Sequence, residues 1–471
     1  MSQLTAPAAT AAPAGPARRP LLLVILATGL PMLMATLDNL VITNALPVIR
    51  VDLGASIEEL QWFVNAYTLA FAAFILMAVA LGDRLGRRTV FLAGIALFTL
   101  ASIGAALSTS PAELIIARAL QGVGGAGIMP LSLALLSGGV DPRRRALAIG
   151  VWGGIAGLGV AAGPLVGGAV IAGWNWQAIF WINVPVAVIA IPLALLVLGN
   201  PRGRRQRIDL AGLLLAGLGV VGLVYGIVRG NDAGWDSPEV LGALIGGAAL
   251  LIAFLWWEQR ASAPLLPLRL FRDRSFTVAN VVGFGFSLGI FGAVFILIQY
   301  LQVVQGRTAL EAAVWTMPWT MAPMIVAPLA GLIAPRIGTR ALIVAGVGLQ
   351  SIALFWIVAI TADDTSFAQL LAPFIIAGVG MGLTFAPSST AVLANISADD
   401  TAKAAGTNST LREIGTALGV AVLTAVFTGA GGQLTPTGYV DAARPAVAVA
   451  AVVLLATAII ALRLPAGRSR R

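Results

Sequence analysis

Apolar runs of about 20 residues recur along almost the whole chain, separated by short polar turns. At 1.5 Å rise per residue, such a run spans a hydrocarbon layer about 30 Å thick. With no water to satisfy the backbone there, each must close its own hydrogen bonds as a helix. The runs fall at 21–49, 60–82, 88–108, 112–138, 146–170, 178–199 and 209–229, then at 239–257, 276–301, 309–335, 340–360, 368–392, 404–429 and 443–463. They predict an all-α polytopic membrane protein with fourteen transmembrane helices. A chain that is 59% hydrophobic and 10% charged, with mean hydropathy +0.94, could not bury that surface in a soluble domain.

Cysteine and histidine are both absent. That excludes disulfides, thiol chemistry and the usual zinc or haem ligands, so neither metal nor cofactor is expected. Any proton relay must run on carboxylates. The net charge of +9 would suggest nucleic acid in a soluble chain. In a membrane chain the arginines read as topology signals and contacts to lipid headgroups, and no nucleic acid is expected. Residues 1–20, rich in Ala and Pro, are expected to be disordered. The run from Leu21 is too long for a signal-peptide core and reads as a retained first span.

Twenty-three of the 29 basic residues fall on one face of the expected topology: Arg18/Arg19, Arg84/Arg87/Arg88, Arg143–Arg145, Arg202/Arg204/Arg205/Arg207, Arg260/Arg269/Arg272/Arg274, Arg336/Arg340, Lys403 and Arg463/Arg468/Arg470/Arg471. Opposite them stand only Arg50, Arg229, Arg307 and Arg444. This bias makes the first face cytoplasmic, with both termini on it.

The turn at 79–88, Val-Ala-Leu-Gly-Asp-Arg-Leu-Gly-Arg-Arg, returns 252 positions later as Gly-Leu-Ile-Ala-Pro-Arg-Ile-Gly-Thr-Arg at 331–340. Arg84, Gly86 and Arg88 recur as Arg336, Gly338 and Arg340, while Pro335 replaces Asp83. A duplicated membrane unit is the pattern of a two-halved transporter. The expected organisation is a six-helix bundle over 21–200, an inserted helix pair with its linkers over 201–275, a second bundle over 276–463 and a tail from 464. No extramembrane segment is long enough for an enzyme or ligand-binding domain.

Two charges deep in the spans single themselves out. Asp38 lies roughly 25 Å from the cytoplasmic end of span 1, and Arg118 roughly 9 Å from the outer end of span 4. They occupy similar depth and are expected to be neighbours, since either would be costly unpaired. Asp38 reads either as a carboxyl that takes and releases protons or as half of a static ion pair. Glu413, roughly 13 Å into span 13, reads either as a second coupling group or as an acid reaching toward the inner surface. Arg412 points about a quarter-turn away from it. Glu113 and Glu311 open helices at the outer edge, where the helix dipole explains them.

Small residues four apart in span 5 (Gly159, Gly163, Gly167 and Gly168, with Pro164 among them) make a flat face for close helix packing and a place to bend. Span 10 carries Trp315 and Trp319 one turn apart, with Met317, Met321 and Met324 nearby. This surface suits either a bulky lipophilic ligand or ordinary packing. Asn65, Gln121, Gln299 and Gln302 are polar groups that could line the same cavity.

These residues resemble the major facilitator superfamily, in particular its fourteen-helix drug:proton antiporter branch, over essentially all of 21–463. The resemblance rests on Leu81-Gly-Asp83-Arg84-Leu-Gly86-Arg87-Arg88, with Val79 where Gly is usual, and on Arg118-Ala-Leu-Gln121-Gly122-Val-Gly124. It also rests on Gly159-Val-Ala-Ala-Gly163-Pro164-Leu-Val-Gly167-Gly168 and on Leu37-Asp38-Asn39 through Asn44-Ala-Leu-Pro47. Trp176-Gln-Ala178-Ile-Phe180-Trp-Ile-Asn183-Val-Pro185 adds a further match, with Ala178 where a second Trp is common. The resemblance implies two six-helix bundles plus two inserted helices. It implies a cytoplasmic gate at Asp83, Arg84, Gly86, Arg87 and Arg88, proton coupling assisted by Arg118, and a span-5 helix that favours exchange over co-transport.

The resulting expectation is a plasma-membrane antiporter, functional as a monomer, that exports a small lipophilic substrate against protons while bathed in membrane lipids. The alternatives are a dedicated exporter of one metabolite or antibiotic and, from another class, a non-transporting membrane sensor. The lack of paired catalytic groups argues against an enzyme.

Overall fold

The computed structural model describes residues 20–141, 144–202, 209–262, 264–396 and 400–465. The expected disordered N-terminus, most of the expected tail, and Arg18, Arg19, Arg143, Arg204, Arg205, Arg207, Arg468, Arg470 and Arg471 lie outside the described residues. The described residues are helical, without a strand. The long helices are α1 (Leu21–Leu53), α2 (Ile57–Leu85), α3 (Arg87–Ala106), α4 (Pro111–Gly139), α5 (Arg145–Gly173), α6 (Ala178–Val197) and α7 (Leu210–Ala233). They continue as α8 (Pro238–Glu258), α9 (Arg274–Val304), α10 (Ala309–Ile337), α11 (Thr339–Ile360), α12 (Phe367–Leu393), α13 (Thr401–Gly429) and α14 (Tyr439–Ala461). Among the described residues, thirteen helices are long and apolar enough to cross a membrane, and α5 adds a 29-residue helix with an apolar stretch at Ala162–Gly173. The chain is a multi-pass membrane protein.

The duplication is legible in the helix caps as well as in the turns. Ser56 and Glu59 form a capping box at the start of α2, and Thr308 and Glu311 form one at the start of α10, 252 positions on. Such a box satisfies backbone amides that would otherwise be bare at a helix start. At the far ends of these helices, Gly86 and Gly338 both take positive φ, +112° and +92°. Only glycine adopts that backbone at no cost. Ser110 before α4 and Ser366 before α12 are 256 apart, because α11 is two residues longer than α3 and the connection after it is also two residues longer.

Packing repeats too. In the first half α1 packs on α4, α5 and α6, α2 on α4, and α3 on α4 and α6. In the second, α9 packs on α12, α13 and α14, α10 on α12, and α11 on α12 and α14. The halves meet at α2/α13 and α5/α10, two seams that exchange under the same eight-helix shift, and at α1/α9.

The inserted pair α7/α8 lies outside the α2/α13 seam, where Val220, Val224 and Val228 join Leu69, Ala417 and Ala421 in one apolar cluster. It is bonded to both halves. Arg229 Nη1 lies 3.0 Å from Glu58 Oε2 of α2, and Asn231 Nδ2 donates to Ala425 O of α13 at 2.6 Å.

Two helices depart from regular geometry. α6 is interrupted at Ile182, because Pro185 has no N–H to return to the Trp181 carbonyl. The end of α9, Tyr300–Val304, widens into a π-helix, and Tyr300 Oη donates there to Ala362 O. The four arginines opposite the arginine-rich helix ends are all engaged. Arg50 donates to Leu434 O, Arg444 to Thr361 O and Arg229 pairs with Glu58, while Arg307 lies over the Trp315 ring.

Candidate functional site

Asp38 and Arg118 meet, as their depths predict. Arg118 Nη1 lies 2.5 Å from Asp38 Oδ2, with the two residues 0% and 3% exposed. The other carboxylate oxygen accepts from Gln121 Nε2 at 3.1 Å and from Asn183 Nδ2 at 2.8 Å. Ser102 Oγ accepts from those same two amides at 2.7 and 3.0 Å, which fixes their orientation. Each of the three side chains bonded to the carboxylate offers it an N–H donor, which matches its acceptor oxygens.

The guanidinium is gripped as firmly. Its Nε donates to Phe63 O at 3.0 Å, Nη1 also donates to Gln121 Oε1 at 2.9 Å, and the Tyr67 ring lies 4.5 Å from its centre. Nη2 and Tyr67 Oη are buried without a hydrogen-bond partner. Five helices of the first half thus converge on one ion pair.

The span-5 glycines pack on the opposite face of α1. A methyl group at Gly159 would lie 3.1 Å from Thr36 Cβ, at Gly163 3.0 Å from Leu40 Cβ, and at Gly167 2.8 Å from Val41 Cγ1. The carbonyl of Pro164 accepts from Asn44 Nδ2 at 3.0 Å. Gly168 faces the other half instead: a methyl there would sit 2.6 Å from Leu310 Cα. Toward the arginine-rich ends of the same two helices, a methyl placed at Gly153, Gly154 or Gly331 would meet nothing within 4 Å among the described residues. Among the described residues, the α5/α10 seam is closed at Gly168 and open at Gly153, Gly154 and Gly331. Phe385, Ser389 and Thr390 of α12 are exposed near the open end.

Arg412 and Glu413 lie half-buried in α13. The Arg412 guanidinium rests 3.9 Å from the Phe385 ring centre and 5.8 Å from that of Phe286. Glu413 leaves the helix on the side of α2, the face on which Thr410 Oγ1 donates to Ala72 O.

The structure does not gather the remaining candidates at the ion pair. Asn65 is fully buried in α2 with neither amide atom partnered, and Gln299 donates only to Phe295 O of its own helix. Trp315 packs on Phe367 and Trp319 on Phe374, within the second half against α12. Gln302 reaches across the halves to Asn44 O at 2.9 Å. Ser102 and Tyr67 belong to the site without a mark in the sequence, and Asn183 stands in the Trp176–Pro185 pattern without an assigned role. The one available signal was an amide inside the apolar run that follows Trp176.

The Gly/Arg turn is tied to its own half. Asp83 pairs with Arg87 at 2.8 Å, Arg88 Nη1 donates to Leu198 O at 2.9 Å and to Leu195 O at 3.1 Å, and the Asn200 side chain occupies the space where a Gly86 side chain would point. Arg84 is exposed.

Comparison with known proteins gives this architecture its place. The family model described as Major Facilitator Superfamily matches residues 28–420. The chain is 36% identical over 408 residues to the multidrug resistance protein Stp of Mycobacterium tuberculosis, covering 86% of this chain and 76% of that protein. It is 32% identical over 425 residues to the tetracenomycin C resistance and export protein of Streptomyces glaucescens, covering 90% and 79% of the two chains. It is 36% identical over 441 residues to the cephamycin export protein CmcT of Amycolatopsis lactamdurans, covering 92% and 90%. Two packed six-helix repeats, an inserted pair and matches that run nearly end to end agree: the chain is a transporter, not an enzyme, and belongs to the Major Facilitator Superfamily.

Proposed function

We propose that this protein is a proton-coupled antiporter that exports lipophilic drugs or antibiotics across the plasma membrane by alternating access. The observation that carries the reading is the buried carboxylate of Asp38, held by Arg118, Gln121 and Asn183 inside the bundle that must move. Protonation from outside would remove its charge and free Arg118, whose fallback partners are Phe63 O, Gln121 Oε1 and the Tyr67 ring. α1 is clasped on its other side by Gly159, Gly163 and Gly167 of α5. A change at Asp38 is therefore felt at the α5/α10 seam. Each inward proton supplies about 2.3 kcal/mol per 100 mV of membrane potential, in addition to the pH gradient.

In this reading the arginine-rich face is cytoplasmic, both termini lie there, and the open end of the α5/α10 seam makes this the inward-facing state. The halves 21–200 and 276–463 rock about the α2/α13 seam, which the inserted helices brace from outside. The Asp83–Arg88 turn acts as the cytoplasmic gate, disengaged from the second half when that side is open. Arg412, Asn65, Gln121, Gln299, Trp315 and Trp319 are the substrate-cavity candidates, with Glu413 as second coupling acid. The protein works as a monomer in contact with membrane lipid.

The test is Asp38→Asn in inside-out vesicles. Proton-driven uptake of substrate should vanish, and Asp38→Glu should keep part of it; undiminished uptake in Asp38→Asn would remove the carboxyl from the mechanism. The names of the tetracenomycin C and cephamycin relatives favour a second reading, a dedicated exporter of one antibiotic. A resistance screen over unrelated compounds separates the two, because a specialist rescues growth against one compound only.

A further inference from the structure

Two arginines lie inside the membrane-spanning bundle, and they are treated in opposite ways. Arg118 is fully buried and paired with Asp38. Arg412 donates no hydrogen bond and forms no ion pair among the described residues, and none of its nitrogens is closed off from solvent. Its stem lies in a notch of α9, where a methyl group at Gly283 would come 3.3 Å from Arg412 Cγ. Its head lies over Phe385, with Phe286 edge-on to that ring at 6.2 Å. Asn408, one turn earlier on the same face, donates to Asn280 Oδ1 at 3.1 Å. Ser389 lies one turn beyond Phe385 on the exposed face of α12. Among the described residues the acid nearest in sequence to Arg412 is Glu413, a quarter-turn away on the helix face that Thr410 shares, where Thr410 Oγ1 donates to Ala72 O of α2.

A guanidinium in the hydrocarbon layer is retained when an anion completes it, and its planar fork matches an oxyanion. The aromatic faces that could have received a cationic ligand are already occupied by this cation, so a second positive charge would be repelled.

We propose that Arg412 determines specificity by binding the carboxylate of an aromatic, lipophilic substrate, whose ring system packs along Phe385. The inside-negative membrane potential would then help to expel the bound anion. This rests on the export reading above and narrows its substrate class.

The test uses three probes on one ring system, pyrenebutyrate, its neutral amide and a pyrenyl quaternary ammonium, titrated by fluorescence against the full chain in lipid nanodiscs. Pyrenebutyrate should bind at least tenfold more tightly than the amide, and the ammonium more weakly than both. Arg412→Gln should erase that preference, Arg412→Lys should keep part of it, and Phe385→Leu should weaken acid and amide alike. No binding of pyrenebutyrate to the wild type, or a preference that survives Arg412→Gln in protein with unchanged melting behaviour, would overturn the assignment. The binding assay needs no proton gradient. Arg412-dependent binding without gradient-driven export would therefore sink the antiport reading alone. Proton-driven export of the amide and the ammonium without preference for the acid would sink this assignment alone.

Discussion

Asn183 Nδ2 lies 2.8 Å from Asp38 Oδ1, while Arg118 holds the other carboxylate oxygen. The amide reaches it from the first residue after the break in α6 at Ile182. A sixth helix is thereby tied to the charge state of the first. A hydrogen bond to a charged group contributes about 1.5–3 kcal/mol, or roughly tenfold to a hundredfold in an equilibrium. Asn183→Ala should therefore cut proton-driven uptake by inside-out vesicles at least about tenfold, with the amount of protein in the membrane unchanged. Wild-type uptake would reduce Asn183 to a packing residue.

Tyr67 offers a cleaner separation of structure from function. Its hydroxyl is buried without a partner, so deleting it removes an unsatisfied polar group and should leave stability equal or slightly raised. Its ring, which carries the contact to Arg118, stays. If the hydroxyl takes up a partner when the Asp38–Arg118 pair rearranges, Tyr67→Phe will melt no lower than wild type yet lose coupled export. If it is only a leftover of packing, export in Tyr67→Phe will match wild type.

The legibility of this chain in its sequence follows the physics of the bilayer. Spans could be read because a continuous apolar run of about 20 residues satisfies its backbone in hydrocarbon as a helix, and the Asp38–Arg118 pair because two opposite charges at equal depth have few alternatives. The duplicated turn was visible because Gly86 and Gly338 need positive φ, which few residues replace. The partners of Asn183 and Ser102 were hidden because a neutral polar residue in a span carries no signal of what it bonds. The tryptophans of α10 fit a binding surface and a helix interface equally well, and only tertiary packing placed them on α12.

The Gly/Arg turn should be sensitive at Gly86 and tolerant at Arg84. Gly86 has φ +112° and Asn200 fills the space beside it, so Gly86→Ala combines backbone strain of about 1–3 kcal/mol with a clash. We expect a lower melting temperature and poor membrane yield. Arg84→Gln, on an exposed side chain, should leave both unchanged. A stable, abundant Gly86→Ala protein would show that the turn readily rearranges.

The closed end of the α5/α10 seam depends on Gly168. A methyl there would meet Leu310 Cα at 2.6 Å and Ala309 O at 2.8 Å, and backbone cannot step aside as a side chain can. Gly168→Ala should push the two helices apart at that end and favour the opposite conformation. The chain has no cysteine, so single cysteines introduced at Val48 and Gly153 report the two ends without background. In Gly168→Ala, maleimide labelling should rise at Val48→Cys and fall at Gly153→Cys; unchanged labelling at both would mean that the seam does not set the state.

A static ion pair and a proton-coupling site make different demands on the same two residues. Removing one partner of a buried pair leaves an uncompensated charge and typically costs about 3–5 kcal/mol, whereas replacing both with neutral groups of similar size is often neutral. Arg118→Met alone should therefore lower the melting temperature and the yield, because Asp38 would keep only Gln121 and Asn183 as donors. Asp38→Asn combined with Arg118→Met should recover both. Under the coupling reading the double variant is well folded and still unable to use the proton gradient, though it can equilibrate substrate passively. Under the static reading it regains export along with stability. Melting curves and gradient-driven uptake, measured on wild type, Asp38→Asn, Arg118→Met and the double variant, decide between them.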